Sequence, residues 1–249
     1  MRALVTGASS GIGRDMTRYL VSLGYEVFAV ARNIEKLEEL QNELGDRVKI
    51  ISADISKKES CIELHNKLKE KNIDLVVNNA GFGVFGNFNE TDLDKELNLI
   101  DTNITAVHIL TKLFLKDMVA KNSGKILNVA SIAGTSPGPL MAAYYSSKAY
   151  VLRLTESISE ELKKQNSEVT VSVLCPGPVA TNFNNVANVK FSLKALSSEY
   201  VAKYAIDKTL KGKLVIVPGM KIKILRALSK ISPDKLTMKV VYANQTRKK

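Results

Sequence analysis

The feature that most constrains the fold is the start of the chain. Residues 2–6, RALVT, are a short aliphatic run that ends in a glycine-rich turn, TGASSGIG at 6–13, and an amphipathic pattern through Met16, Leu20 and Leu23 follows. That order reads as strand, turn, helix. Gly7, Gly11 and Gly13 let the backbone turn tightly and approach a ligand, while free N–H groups at the helix start attract a diphosphate. The bland alternative is glycine that merely packs helix on strand.

The alternation then continues. Strand 26–31 leads to helix 34–44, strand 48–52 to helix 57–71, and strand 75–78 to a helical run over 93–121 that exceeds one helix length, with Asn103 inside it. Strand 125–130, helix 144–164, strand 169–175, helix 197–210 and strand 214–218 complete seven strands. Strands that alternate with helices return by right-handed crossovers, so the expected fold class is α/β, a doubly wound parallel sheet with helices on both faces. With 249 residues and no Pro/Gly/Ser-rich linker, one domain over 1–249 is expected. Within it, 182–196 reads as a polar loop over the strand ends where substrate enters, and 219–249 as a C-terminal extension.

The chemistry concentrates in SIAGTSPGPLMAAYYSSK, residues 131–148. Tyr144 and Lys148 stand four apart, on one face of a helix. A lysine beside a tyrosine favours the phenolate and lowers a phenol pKa from near ~10 toward the range of a general acid/base. Ser131 ends an apolar run, where its hydroxyl can bond the same oxygen. At the end of the second strand, where dinucleotide folds place an acidic residue on a ribose hydroxyl, stand Ala31 and Arg32; an arginine there suits a 2′-phosphate. The alternative is a surface arginine opening the next helix. Asn78-Asn79-Ala80-Gly81 makes a sharp polar exit from the fourth strand, and Pro176-Gly177-Pro178-Val179-Ala180-Thr181 leaves the sixth. Cys175 reads as a buried small residue rather than a nucleophile. His65 and His108 lack ligand spacing, so no metal site is expected.

The net charge is +11, and residues 203–249 carry 13 Lys and Arg against 2 Asp and Glu, which accounts for all of it. A neutral body with a basic end argues against nucleic-acid binding and for a local anionic contact. Around 221–231, Ile224, Leu225, Leu228 and Ile231 project to one side and Lys223, Arg226 and Lys230 to another. A helix packed at the sheet edge and an interfacial helix on anionic lipid are even alternatives, which leaves peripheral membrane contact through 221–249 open. Two cysteines cannot make a disulfide framework and no leader pattern precedes the first strand, so a cytoplasmic location is expected.

TGASSGIG at 6–13, NNAG at 78–81, Ser131, YYSSK at 144–148 and PGPVAT at 176–181 occur in the order and spacing of the short-chain dehydrogenase/reductase family, which the chain resembles over about residues 2–218. The resemblance implies a Rossmann sheet in the order 3-2-1-4-5-6-7, a homodimer or homotetramer, and a nicotinamide cofactor across the strand ends. It implies Tyr144, rather than Tyr145, as catalytic acid/base, with Lys148 on the nicotinamide ribose, Ser131 on the substrate oxygen and Asn103 holding a water that links Lys148 to solvent. Gly7, Ser9, Ser10, Gly11, Ile12 and Gly13 would line the diphosphate, Asp54 and Ile55 the adenine, and Asn79, Ala80 and Gly81 the ribose side. Pro176, Gly177, Val179 and Thr181 would line the nicotinamide amide. Ala31-Arg32 agrees with the NADP type, although Ser10 stands where many NADP enzymes carry a second basic residue.

The segment from about Val215 onward resembles a steroid-dehydrogenase-like or DltE-like subset, which implies an apolar or amphiphilic carbonyl substrate. The expected function is an NADP(H)-dependent oxidoreductase acting on a ketone, aldehyde or secondary alcohol. The alternative is a module that binds NADP(H) as a sensor or scaffold without turnover.

Overall fold

The computed structural model describes residues 1–181, 195–229 and 231–246. Its sheet is built from β1 (Arg2–Thr6), β2 (Glu26–Ala31), β3 (Val48–Ser52), β4 (Leu75–Asn78), β5 (Lys125–Val129), β6 (Thr170–Leu174) and β9 (Val215–Ile216). All neighbours pair in parallel, in the order β3-β2-β1-β4-β5-β6-β9. Two short strands, β7 (Val179–Ala180) and β8 (Leu196–Ser197), pair separately. The expected seven-stranded topology is present, with β9 as the seventh strand. β9 is shorter than the expected 214–218 because only Val173 and Leu174 of β6 lie alongside it.

Successive side chains of a strand face opposite layers, and the core divides accordingly. Ala3 and Val5 of β1 join Met16 and Leu20 of α1 (Gly11–Ser22), Leu37 of α2 (Ile34–Leu44) and Val201 of α7 (Ser198–Leu210). Leu4 faces the other way, into a cluster with Leu64 of α3 (Lys58–Leu68) and Leu110 and Phe114 of α5 (Ala106–Ala120). Helices therefore cover both faces.

The long helical run divides into α4 (Leu93–Ile100), a π turn at Asp101–Thr105, and α5. Asn103 sits in that turn and is fully buried. π turns recur where a helix must carry a functional side chain inward. On the same face, Asn78 of β4 donates to Asn128 of β5 at 2.8 Å, and Asn128 donates to Thr155 of α6 (Ala142–Lys164) at 3.0 Å. Buried amides and hydroxyls bonded to one another hold α6 at one height against the sheet.

After α7 and β9 the chain ends in two helices, α8 (Met220–Ser229) and α9 (Asp234–Thr246). Ile222 of α8 packs on the turn at Gly177, where an added Cβ would lie 2.5 Å from the isoleucine side chain.

Candidate active site

A cavity of about 950 Å³ opens over the carboxyl ends of the strands. In an open parallel sheet this is where ligands sit, at the point where strand order reverses, here between β1 and β4.

Gly7, Ser9, Ser10, Gly11 and Ile12 line one end. Gly13 lies behind them and does not line the cavity; an added Cβ would sit 2.4 Å from both the Gly7 carbonyl oxygen and Asn79 Nδ2, so glycine here lets α1 close on β1. The start of α1 carries no side-chain cap and no acidic residue in its first turn. Its first N–H groups therefore face the cavity with a positive end uncompensated by protein carboxylate. Arg32 is exposed at the rim, and Asp54 is the only carboxylate among the described lining residues. Asp54 Oδ1 accepts from the Ser56 N–H and hydroxyl, at 3.2 and 2.8 Å. Ile55 lies beside it.

Asn79, Ala80 and Gly81 line the middle. The Asn79 amide nitrogen donates to the Thr6 and Gly7 carbonyls at 2.9 and 3.3 Å, and Thr6 Oγ1 accepts from the Asn79 and Ala80 N–H groups. Asn79 thus clamps the glycine turn to β4. The donor set fits a dinucleotide: an uncapped helix start for a diphosphate, one rim arginine for a further phosphate, and an ammonium deeper in.

That ammonium is Lys148. Its Nζ donates to the Val129 carbonyl at 3.0 Å and lies 5.8 Å from the Tyr144 ring centre. Tyr144 shares a hydrogen bond with Ser131, whose Oγ also accepts from the Ala133 N–H at 3.1 Å and caps a 3-10 turn at Ile132–Thr135. A Cβ at Gly134 in that turn would lie 2.5 Å from the Lys148 carbonyl oxygen, so only glycine lets the turn rest on α6 and bring Ser131 to Tyr144. Asn103 lies beneath this group, outside the cavity lining. Its Oδ1 accepts from the Phe82 N–H at 3.1 Å, and its Nδ2 donates to the Phe82 carbonyl at 2.9 Å and to Ser147 Oγ at 3.0 Å.

The expectation that Lys148 draws the Tyr144 pKa down is overturned. Burial pushes the phenol up to about 12, opposed by the bond to Ser131, and burial pushes Lys148 down to about 8. Both groups are shielded from water by the surrounding protein, which disfavours the charged form of each.

Pro176, Gly177, Val179 and Thr181 also line the cavity, and the Thr181 side chain closes on the glycine turn, 3.0 Å from where a Cβ at Gly11 would sit. The Pro176 carbonyl accepts from the Ile132 N–H at 2.9 Å, which ties this loop to the serine turn. Of the expected substrate loop 182–196, positions 182–194 lie outside the described residues.

The profile of the short chain dehydrogenase family matches residues 1–190, three quarters of the chain. The chain belongs to that family. A 3-oxoacyl-[acyl-carrier-protein] reductase of Rickettsia prowazekii is 36% identical over 191 residues, 76% of each chain. Human 17-beta-hydroxysteroid dehydrogenase type 3 is 33% identical over 216 residues, 84% of this chain and 69% of that one. Among solved structures, a short-chain dehydrogenase from Sphingobium yanoikuyae in complex with NADPH superposes with a TM-score of 0.83 at 26% identity, covering 92% of this chain and 93% of the other. The protein is an oxidoreductase of the short-chain dehydrogenase type.

Three parts of this dehydrogenase's site were not legible in its sequence. Thr6, the last residue of β1, carries the clamp to β4. Asn128 and Thr155 brace α6. The third part is α9, whose Gln245 is buried and donates to the Tyr145 hydroxyl at 3.1 Å, across 100 positions of sequence. Tyr145 stands edge-on to Tyr144, with ring centres 6.2 Å apart, so it packs on the phenol and also anchors the last helix. Periodicity could have marked α9 as a helix, through Leu236 and Val240 one turn apart, but not its partner.

Proposed function

We propose that the protein is an NADP(H)-dependent carbonyl reductase or alcohol dehydrogenase in which Tyr144 is the acid/base. The observation that carries this is a half-buried phenol, bonded to Ser131 and next to a buried ammonium, in the cavity that also receives the uncapped start of α1.

When bound, the nicotinamide supplies or accepts a hydride. Gly7, Ser9, Ser10, Gly11 and Ile12 would hold the diphosphate, Asp54 and Ile55 the adenine, and Lys148 the nicotinamide ribose. Pro176, Gly177, Val179 and Thr181 would enclose the amide end. Arg32 supports the NADP form, since Ala31 and Arg32 stand at the end of β2 where the NAD type carries an acidic residue.

A phenol held near 12 stays protonated at neutral pH and is a proton donor. An alkoxide is a stronger base than a phenolate, so as charge gathers on a substrate carbonyl oxygen the Tyr144 proton moves to it. Ser131 Oγ stabilises that charge before the transfer. Lys148 offsets the phenolate left behind, and Asn103 holds the Gly81–Phe82 backbone that walls this corner.

Apolar side chains on the outer wall, Met141, Ile222, Leu225 and Val240, support an apolar or amphiphilic carbonyl compound as substrate. The names of the relatives, a reductase of 3-oxoacyl groups and a hydroxysteroid dehydrogenase, support the same carbonyl/alcohol pair. We further propose a homodimer or homotetramer, which light scattering of the eluted protein measures.

The test is a panel of ketones and aldehydes with NADPH, followed at the absorbance of the reduced cofactor. Tyr144→Phe should lose at least ~100-fold in kcat, the usual scale of general acid catalysis, with NADPH affinity within a few-fold of wild type. Undiminished turnover in that variant rejects the assignment. NADPH binding without turnover of any carbonyl in the panel indicates a sensor or scaffold instead.

A further inference from the structure

We propose that α8 and α9 form a docking face for an anionic lipid surface, and that the cavity opens into this face, so that an apolar carbonyl substrate enters from the bilayer. The second half rests on the carbonyl reductase reading; the first does not.

Among the described residues, nine of the nineteen exposed large apolar side chains fall between Met220 and Tyr242. Ile224 is 54% exposed and Ile231 80%, values foreign to a packed helix pair. An apolar patch this dense marks a contact surface. The pair is nevertheless held on its inner side at three points. Ile222 is buried on Gly177, Arg226 meets Glu156 of α6 at 3.3 Å, and Gln245 bonds Tyr145.

The charge on this face selects the partner. Lys221, Lys223, Lys235 and Lys239 are exposed, and none has a carboxylate within 4.0 Å among the described residues. The only acidic residue from 220 to 246 is Asp234, in the first turn of α9, where the helix dipole offsets it. Protein interfaces are depleted of lysine in their cores, and a second copy would set this cationic face against itself. Lysines interleaved with leucine, isoleucine and methionine instead match a lipid headgroup layer, where stems lie in the apolar zone and ammonium groups reach phosphates.

The cavity ends at the same face. Leu225, Leu228, Leu236 and Val240 line it and are also 44–56% exposed, so its outer mouth is an apolar slot between the two helices. Docked on lipid, that slot is continuous with the acyl region and leads inward to Tyr144.

The test is sedimentation of the full chain with vesicles of phosphatidylcholine alone and of phosphatidylcholine with 30 mol% phosphatidylglycerol. Binding is expected to the anionic vesicles, weakened by salt. At about fivefold per cationic residue, Lys235→Glu with Lys239→Glu should weaken it by about 25-fold or more. Ile224→Ser with Ile231→Ser should also reduce it, with NADPH affinity and melting temperature reporting that both variants are folded. Equal binding to neutral vesicles, no binding to either, or unaltered binding by the lysine variant overturns the proposal. So does a change in oligomeric state of the isoleucine variant without loss of vesicle binding, which would place a second copy on this face. For substrate entry, a vesicle-dissolved ketone should turn over more slowly with the lysine variant while a water-soluble ketone turns over equally; equal rates for both ketones overturn entry from lipid. Vesicle binding by a protein that turns over no ketone would reject only the reductase reading.

Discussion

Lys148 Nζ donates to the carbonyl of Val129, the last residue of β5, and this 3.0 Å bond joins α6 to the strand that delivers Ser131. The ammonium is nearly devoid of water, and burial lowers its pKa from 10.5 to about 8. The folded state therefore binds fewer protons than the unfolded chain between about pH 8 and 10.5, so this group makes stability rise with pH across that window, and its cost of about 3 kcal/mol is fully present below pH 8. Cys61 and Cys175, both raised from 9.0 to about 12, act with the opposite sign above pH 9. Denaturant melts of the cofactor-free protein should show a rise between pH 8 and 9 that Lys148→Met removes. That variant should be more stable than wild type at pH 7 and inactive.

Gly13 supports the site without lining it. Gly13→Ala sets a methyl group 2.4 Å from the Gly7 carbonyl oxygen and Asn79 Nδ2, neither of which can yield without moving β1 or β4. The expected cost is about 2–3 kcal/mol, accompanied by weaker NADPH binding. Gly24→Ala is the comparison: its φ is +87° but nothing lies within 4 Å, so it should cost only about 1 kcal/mol and leave NADPH binding intact. Thermal melts and cofactor titrations separate the two.

Arg32 should set the choice between cofactors. A charge-assisted bond to a phosphate is worth about 1.5–3 kcal/mol, so Arg32→Asp should shift the NADPH/NADH ratio of kcat/KM by about ten- to a hundredfold toward NADH. An unchanged ratio would make Arg32 a solvated surface residue.

Gln245 and Tyr145 should be energetically coupled. Each of Gln245→Leu and Tyr145→Phe removes the hydrogen bond the two side chains share, and the double variant should cost about 1 kcal/mol less than the sum of the two. Since the bond holds α9 against the cavity, Gln245→Leu should raise KM for bulky ketones more than it lowers kcat. Equal effects on both parameters would mean that α9 does not shape the substrate side.

The sequence by itself determined the parallel sheet through its periodicity, and its strand order and the residues that meet at its carboxyl edge through the resemblance of its motifs to the short-chain dehydrogenases. Strand and helix periods are local, and the crossover rule converts their alternation into a parallel topology. Gly7, Ser131, Tyr144, Lys148 and Thr181 consequently reach one cavity although 174 positions separate the first from the last. Only the tertiary structure decided what depends on burial and on partners distant in sequence. It placed Asn103 in a π turn, inside a run that reads as ordinary helix, and bonded it to Phe82. It reversed the expected direction of the Tyr144 pKa, because desolvation is a property of the packed pocket and not of a four-residue spacing. It also brought Gln245 to Tyr145 and turned the basic end of the chain into a wall of the cavity. No local pattern encodes that contact, which exists only once α8 and α9 fold back over the strand ends.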